Sequence, residues 1–264
     1  MKVVLFCGGQ GMRLRDYSDR IPKPLVEVGL HPILWHLMRY YAHFGHKDFI
    51  LCLGHGGAAI KTYFRTYDEC LSNDFVMEKG GRDIKLLRRE IDDWRITFVD
   101  TGPTSNVGQR LQRAREHLAG ETAFLANYAD GLSDLDLNGH IDHFHRRGRI
   151  ACFLSVPAPH TFHVVDADAE QYVRGLQLVG QSNVRVNGGF FVFRSEIFDY
   201  IREGEELVLE PFQRLIAKRE LLAVPYDGFW RNMDTFKDKI ALDELWERGQ
   251  APWCVWKKSG DVIS

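Results

Sequence analysis

Short apolar runs alternate along the chain with stretches whose apolar residues recur every three or four positions. Residues 3–7, 49–53, 95–99, 123–127, 150–156, 189–193 and 221–225 have the length and continuous apolarity of buried strands. Between the first two, Ile33, Leu34, Leu37, Met38, Tyr41 and Phe44 mark one face of a helix over 31–45, and Gly45 supplies a stop. The same spacing predicts helices over 57–67, 108–118, 137–147, 195–203, 211–219 and 235–248. Strands that are apolar throughout, separated by amphipathic helices, predict an α/β fold with a mainly parallel sheet covered on both faces. Residues 74–94 break the rhythm: two short β-prone runs flank Lys79-Gly80-Gly81-Arg82-Asp83, the pattern of an inserted hairpin. No linker or repeat divides the 264 residues, so a single domain over 1–264 is expected.

Composition acts on this picture mostly by exclusion. With 34 basic against 36 acidic residues the formal net charge is −2, which argues against a protein that coats nucleic acid or an anionic membrane. Apolar residues at 45% and charged residues at 27% suit a globular chain with a full core. The five cysteines are scattered without a Cys-x-x-Cys pair, so neither a disulfide framework nor a structural zinc site is indicated. Met1-Lys2-Val3-Val4-Leu5-Phe6 runs into glycines without a secretory apolar segment, and no run approaches the ~18 residues of a membrane span. A cytoplasmic location is the expectation.

In parallel sheets, ligands sit beyond the carboxyl ends of the strands. The first such loop reads Cys7-Gly8-Gly9-Gln10-Gly11-Met12-Arg13. Its glycines allow a sharp turn that presents N–H groups to an anion, and Arg13 offers a bidentate phosphate clamp. The dinucleotide and P-loop fingerprints are both absent, and Arg13-Leu14 stands where a dehydrogenase needs its third glycine. Farther on, Pro22-Lys23-Pro24 fixes the backbone on both sides of a lysine, so that its charge meets a phosphate with little reorganisation.

These two segments together resemble the signature of sugar-phosphate nucleotidyltransferases. The resemblance is closest to the glucose-1-phosphate cytidylyltransferase branch and runs over nearly the whole chain. It includes Pro32-Ile33-Leu34-Trp35-His36, Val99-Asp100-Thr101-Gly102, Asp130-Gly131, Asn187-Gly188-Gly189-Phe190, Gly228-Phe229-Trp230 and Met233-Asp234-Thr235. It implies a Rossmann-like mixed sheet, with the hairpin at 74–94 and an acceptor-binding region at about 150–230 as additions. It further implies that the backbone of Gly8, Gly9 and Gly11, with Arg13, takes the triphosphate of CTP or another nucleoside triphosphate, and that Lys23 meets the α-phosphate. Thr101 and Arg110 fall where the family contacts the nucleoside; by its own sequence, Arg110 could equally be a solvated helix residue beside Arg113 and Arg115. Asp130 and Asp234 are the implied Mg²⁺ ligands, a chemically sensible pair because Mg²⁺ takes one or two carboxylates together with phosphate oxygens. Catalysis is thereby assigned to Arg13, Lys23 and Asp130, and relatives of this kind are commonly homo-oligomers.

Two departures from the family pattern fall on the sugar side. Leu178-Val179-Gly180 replaces a Glu-Lys-Pro, and His160-Thr161-Phe162-His163 replaces a Gly-Arg-Tyr-Gly. Loss of a carboxylate and an ammonium alters what the site can hydrogen-bond, so an acceptor other than glucose 1-phosphate is expected. His163, Asn187 and Gly188 are its candidate contacts. The alternatives are a thymidylyl- or uridylyl-type enzyme and a non-catalytic nucleotide-binding module. His140, His143 and His145 read as a surface helix, and Pro252-Trp253-x-Val255-Trp256 as a segment packed on the domain or on a neighbouring subunit.

Overall fold

The structure, a computed structural model, describes residues 1–9, 21–158 and 163–257. An eight-stranded sheet forms its centre. The strands are β1 (Val3–Phe6), β2 (Asp48–Leu53), β3 (Arg95–Asp100), β4 (Ala123–Tyr128), β5 (Ala151–Pro157), β6 (Arg185–Asn187), β7 (Phe191–Arg194) and β8 (Leu221–Pro225). β3, β2, β1 and β4 lie side by side, all parallel. β7 follows antiparallel to both β4 and β5, and β8 pairs parallel with β5 at the far edge. The sheet is mainly parallel, as the apolar runs predict, and mixed, as the resemblance implies.

β6 and β7 occupy one edge of β5, but the register slips by two residues between Ser155↔Asn187 and Cys152↔Val192. The slip is taken up in a bulge at residues 188–190, where Gly189 and Phe190 have φ of 75° and 49°. A side chain at Gly189 is excluded, because its Cβ would lie 2.3 Å from Asn127 Oδ1. That oxygen accepts from the Phe190 N–H at 3.0 Å. The strand predicted over 189–193 therefore starts late for a local backbone reason.

Among the described residues, six α-helices cover the sheet: α1 (Ile33–His43), α2 (Gly57–Arg65), α3 (Val107–Ala114), α4 (Leu137–Arg147), α5 (Glu210–Ala217) and α6 (Phe236–Glu247). Alternation along β1 divides the core in two. Val3 and Leu5 join α1, α4 and α6 on one face, whereas Val4 and Phe6 join α3 and α5 on the other. Each fully buried leucine or phenylalanine contributes roughly 1.5–3 kcal/mol. Both α3 and α6 start at capping boxes, Asn106 with Gln109 and Thr235 with Asp238. These caps fix where the loops before the helices end.

Some expectations change. The helix predicted over 195–203 is only a 3₁₀ turn, Ser195–Asp199, because the chain turns at Gly204, with φ of 80°, and the Arg202 N–H is taken by Glu205. The stretch 108–118 divides into α3 and a 3₁₀ turn, Arg115–Leu118. His140 is buried rather than on the surface, since it shares the inward face of α4 with Leu137, Ile141 and Phe144, and its Nε2 lies 3.0 Å from Phe190 O. Trp253 packs on its own domain: it is fully buried and donates to His36 Nδ1 at 3.3 Å. Two antiparallel ribbons stand off the sheet, Phe75–Glu78 with Asp83–Leu86, and His163–Ala167 with Val173–Leu178. Among the described residues no helix is long and apolar enough to cross a membrane.

Candidate active site

A cleft of about 450 Å³ opens beyond the carboxyl ends of β1 and β4, and Gly9, Lys23, Arg110, Asp130 and Asp234 all line it. The residues between 10 and 20, including Gly11 and Arg13, lie outside the described part of the chain. Gly9 has open space where a side chain would stand.

Lys23 begins a 3₁₀ turn, Lys23–Leu25, which Pro22 leads in its extended conformation. Pro22 and Pro24 restrict the backbone on either side of the lysine, and the side chain reaches the cleft from this turn. Its Nζ donates to Asp130 Oδ2 and to Asp234 Oδ1, each at 2.5 Å. Burial penalises the ammonium, but the charge of Asp130 and hydrogen bonds to both carboxylates outweigh it and raise the Lys23 pKa.

The two aspartates come from distant parts of the chain, and a short ribbon brings them together. Gly131–Ser133, directly after Asp130, pairs antiparallel with Trp230–Asn232, just before Asp234. The Met233 N–H closes the junction by donating to Asp130 O at 2.9 Å. Asn232 Nδ2 donates to Asp234 Oδ2 at 2.5 Å, which leaves Oδ1 turned to the lysine. With α6 capped at Thr235, Asp234 is held from both sides. The lysine ammonium shows that both carboxylates converge on one cation position. Among the described residues no third His, Cys, Asp or Glu joins them. Such a pair suits a hard divalent ion that completes its shell with phosphate oxygens and water.

Arg110 lines the cleft and also serves the backbone around it, with Thr101 beside it. Arg110 is buried, and its Nη1 donates to Thr101 Oγ1 at 2.6 Å, to Gly102 O at 3.1 Å and to Leu53 O at 3.2 Å. Its Nη2 donates to Gly8 O at 2.9 Å. One guanidinium thus ties together the loops after β1, β2 and β3. Thr101 is fully buried and donates its hydroxyl to Leu53 O at 2.6 Å, so it supports Arg110 from below. A side chain at Gly8 would displace the guanidinium, because its Cβ would lie 1.9 Å from Arg110 Nη1.

His163 pairs with Leu178 across its ribbon, so the two departures from the family pattern meet at one point. His163 is exposed, and its neighbour Phe162 lies outside the described residues. Asn187 and Gly188 sit at the sheet bulge nearer the cleft: Asn187 Nδ2 approaches the Tyr128 hydroxyl at 3.4 Å, and Gly188 O accepts from Trp230 Nε1 at 2.8 Å. Trp230 belongs to the ribbon that leads to Asp234, so the bulge at Gly188 and the carboxylate pair share one support.

The sequence did not single out three further residues: Asn232, Tyr128 and Glu206. Asn232 orients Asp234, and only its position two residues before the aspartate could have signalled it. Tyr128 lines the cleft with its hydroxyl pKa pushed up to about 12 by burial, with the charges of Glu206 and Asp130 adding. Glu206 also lines the cleft and accepts from the Val107 N–H at 3.3 Å at the start of α3.

A cleft at the ends of parallel strands, with a lysine and two acids from separate loops, defines a nucleotide-handling enzyme of the α/β class. The chain belongs to the Nucleotidyl transferase family, whose profile matches residues 2–244. It is 39% identical to the glucose-1-phosphate cytidylyltransferase of Salmonella typhi, over 97% of this chain and 100% of that one. It is also 25% identical to a mannose-1-phosphate guanyltransferase of Yarrowia lipolytica, over 91% of this chain and 62% of the relative. Among solved structures, UDP-glucose pyrophosphorylase complexed with UDP-glucose superposes with a TM-score of 0.67 at 14% identity, over 94% of this chain and 98% of that one. HddC from Yersinia pseudotuberculosis gives 0.65 at 18%, over 92% and 98%. Both structural likenesses concern the fold. The chain is thus a cytidylyltransferase-like sugar-phosphate nucleotidyltransferase, the class its glycine loop and Pro22-Lys23-Pro24 resemble.

Proposed function

We propose that the enzyme joins CTP to a sugar 1-phosphate. A phosphate oxygen of the sugar 1-phosphate attacks the α-phosphorus of CTP, the bond to the β-phosphate oxygen breaks, and pyrophosphate leaves as a CDP-sugar forms. The observation that carries this reading is the convergence of Lys23, Asp130 and Asp234 at one point of the cleft. The attacking phosphate is already anionic, so no general base is needed and catalysis reduces to alignment and charge neutralisation. Backbone N–H groups of Gly8 and Gly9, with Gly11 and Arg13, are assigned to the triphosphate. Lys23 is assigned to the α-phosphate, where its charge counters what develops in the transition state. Arg110 and Thr101 hold the glycine loop in shape beneath the nucleotide. Asp130 and Asp234 are the residues that would hold Mg²⁺, which when bound supplies Lewis-acid neutralisation of the phosphates. His163, Asn187 and Gly188 are assigned to the acceptor.

The cytosine base and the sugar acceptor rest on likeness to the Salmonella typhi enzyme, whose name carries both. Pyrophosphate release measured with CTP, UTP and dTTP against several sugar 1-phosphates tests the reading. Preference for CTP is expected. Faster turnover with UTP or dTTP would make the enzyme uridylyl- or thymidylyl-type, and no release with any pair would leave a nucleotide-binding module. Self-association is expected as well, with exposed Val76, Met77 and Ile84 on the first ribbon as the apolar surface to cover; light scattering reads it.

A further inference from the structure

We propose that Tyr128 reads the acceptor, its phenolic hydroxyl donating a hydrogen bond to the sugar hydroxyl next to the anomeric carbon. The inference rests on the reading of the cleft as the site of a sugar 1-phosphate, and it adds a specificity-determining residue there.

The hydrogen bonds around Tyr128 have a fixed direction. Asn187 Oδ1 accepts from the Gly189 N–H at 2.9 Å. Exchanging the two ends of the amide would set an NH2 group against that N–H, so Nδ2 is the end turned to Tyr128. From there it reaches the phenolic oxygen at 3.4 Å. An amide nitrogen only donates, so the Tyr128 oxygen is the acceptor in this contact and keeps its own hydrogen to give. Among the described residues the hydroxyl makes no other hydrogen bond. The ring that carries it lines the cleft and is held in place. Phe191 stands edge-on to it with ring centres 5.4 Å apart, and Phe6 lies at 6.4 Å. Its edge also meets the bulge, where a Cβ on Gly189 would come within 3.2 Å of Cδ2. A donor fixed in this way loses little freedom when a ligand binds. Burial, together with the charges of Glu206 and Asp130, keeps the phenol in its protonated, donating form. The same negative charges disfavour a phosphate at this point, which leaves a neutral sugar hydroxyl as the fitting partner. Tyr128 ends β4 two residues before Asp130, a span of at most about 7 Å between their Cα atoms. The reacting phosphates are assigned to Asp130 and Lys23, so the part of the sugar that meets Tyr128 is the part that bears the phosphate. The hydroxyl on C2 is the ring hydroxyl nearest to it.

The test is calorimetric titration of the full chain with glucose 1-phosphate and galactose 1-phosphate, each beside its 2-deoxy counterpart. Mg²⁺ and α,β-methylene-CTP are present, so that both ligands can bind and no bond breaks. In the pair that binds more tightly, the native protein is expected to favour the 2-hydroxy sugar about tenfold or more, the scale of a donor left without its partner. Tyr128→Phe keeps the ring and its contacts. It is expected to reduce that preference to about threefold or less by weakening the 2-hydroxy sugar alone. Its affinity for α,β-methylene-CTP, titrated without sugar, is expected to stay native, and thermal unfolding verifies that it is folded. The proposal would be overturned by a native protein without preference, by a preference that survives Tyr128→Phe, or by an equal loss for both sugars. Lost affinity for the nucleotide alone would overturn it too, since the hydroxyl would then serve the nucleotide. The expected shift in a protein that forms no CDP-sugar would uphold Tyr128 and count against the catalytic reading, whereas an equal loss in an active enzyme would sink Tyr128 alone.

Discussion

Replacing Arg110 with methionine separates a residue that builds the site from one that touches the ligand. The guanidinium serves four acceptors, but they do not lose equally when it goes. Leu53 O keeps the Thr101 N–H at 2.8 Å and its hydroxyl at 2.6 Å. Gly8 O and Gly102 O have no other donor among the described residues. Two buried or half-buried carbonyls left without a partner cost about 1–3 kcal/mol each. Relief from burying the guanidinium, and water entering from the cleft, reduce the loss, so a net of about 2–4 kcal/mol is expected. In a domain of this size that corresponds to a fall in Tm of about 5–12 °C. Denaturant titration and scanning fluorimetry of the nucleotide-free protein read it directly. Gly8→Ala is expected to reproduce most of the effect, since its Cβ would stand 1.9 Å from Nη1 and push the guanidinium out. CTP affinity is expected to fall in both variants because the glycine loop loses its anchor. A variant with native stability within about 0.5 kcal/mol and lost CTP binding would refute this reasoning and make Arg110 a direct ligand contact.

Asp130→Ala and Asp234→Ala are each expected to lower turnover at least ~10²-fold, as read by pyrophosphate release at saturating Mg²⁺. Asn232→Ala is expected to weaken metal activation about 10–100-fold by freeing Asp234, with the Mg²⁺ dependence of the rate as the measurement. In a panel of sugar 1-phosphates with CTP, glucose 1-phosphate is expected not to be the best acceptor; its clear superiority would remove the significance given to His163 and Leu178. Burial lowers the pKa of His36 to about 3 and of His140 to about 4, so these rings stay neutral in the folded chain. In the unfolded chain they take up protons below about 6.5. Stability from these groups is therefore complete above that pH and declines as pH falls toward 4. Tm measured across that range should show the decline, and His140→Asn should flatten part of it.

The sheet was legible because its strands are apolar on both faces, and such runs have few other places to go. The bulge at 188–190 was not, since it depends on Asn127 meeting Gly189 across the sheet, a contact between residues far apart in the chain. His140 sits among polar neighbours on its helix, yet its spacing from Leu137 and Ile141 turns it inward. The ribbon from His163 to Leu178 exposes Val165, Val173 and Leu176, so no burial pattern announces it. For the site, Lys23 stood out only because its flanking prolines follow a glycine-rich loop. Asp130 and Asp234 emerged only through resemblance, because the ribbon that joins them has no local signature. Arg110 looked like one of three helix arginines, and only the fold distinguishes it, by setting it beneath Gly8.

The ribbon between Gly131–Ser133 and Trp230–Asn232 also sets a clock on the emerging polypeptide. All eight strands of the sheet precede residue 226, so the scaffold can assemble while the chain is still being made. Asp234 arrives afterwards and must be clasped to Asp130 before the two jaws of the cation position face each other. A ribosome-bound chain that stops short of Trp230 can therefore hold every strand of the sheet and yet lack the paired carboxylates.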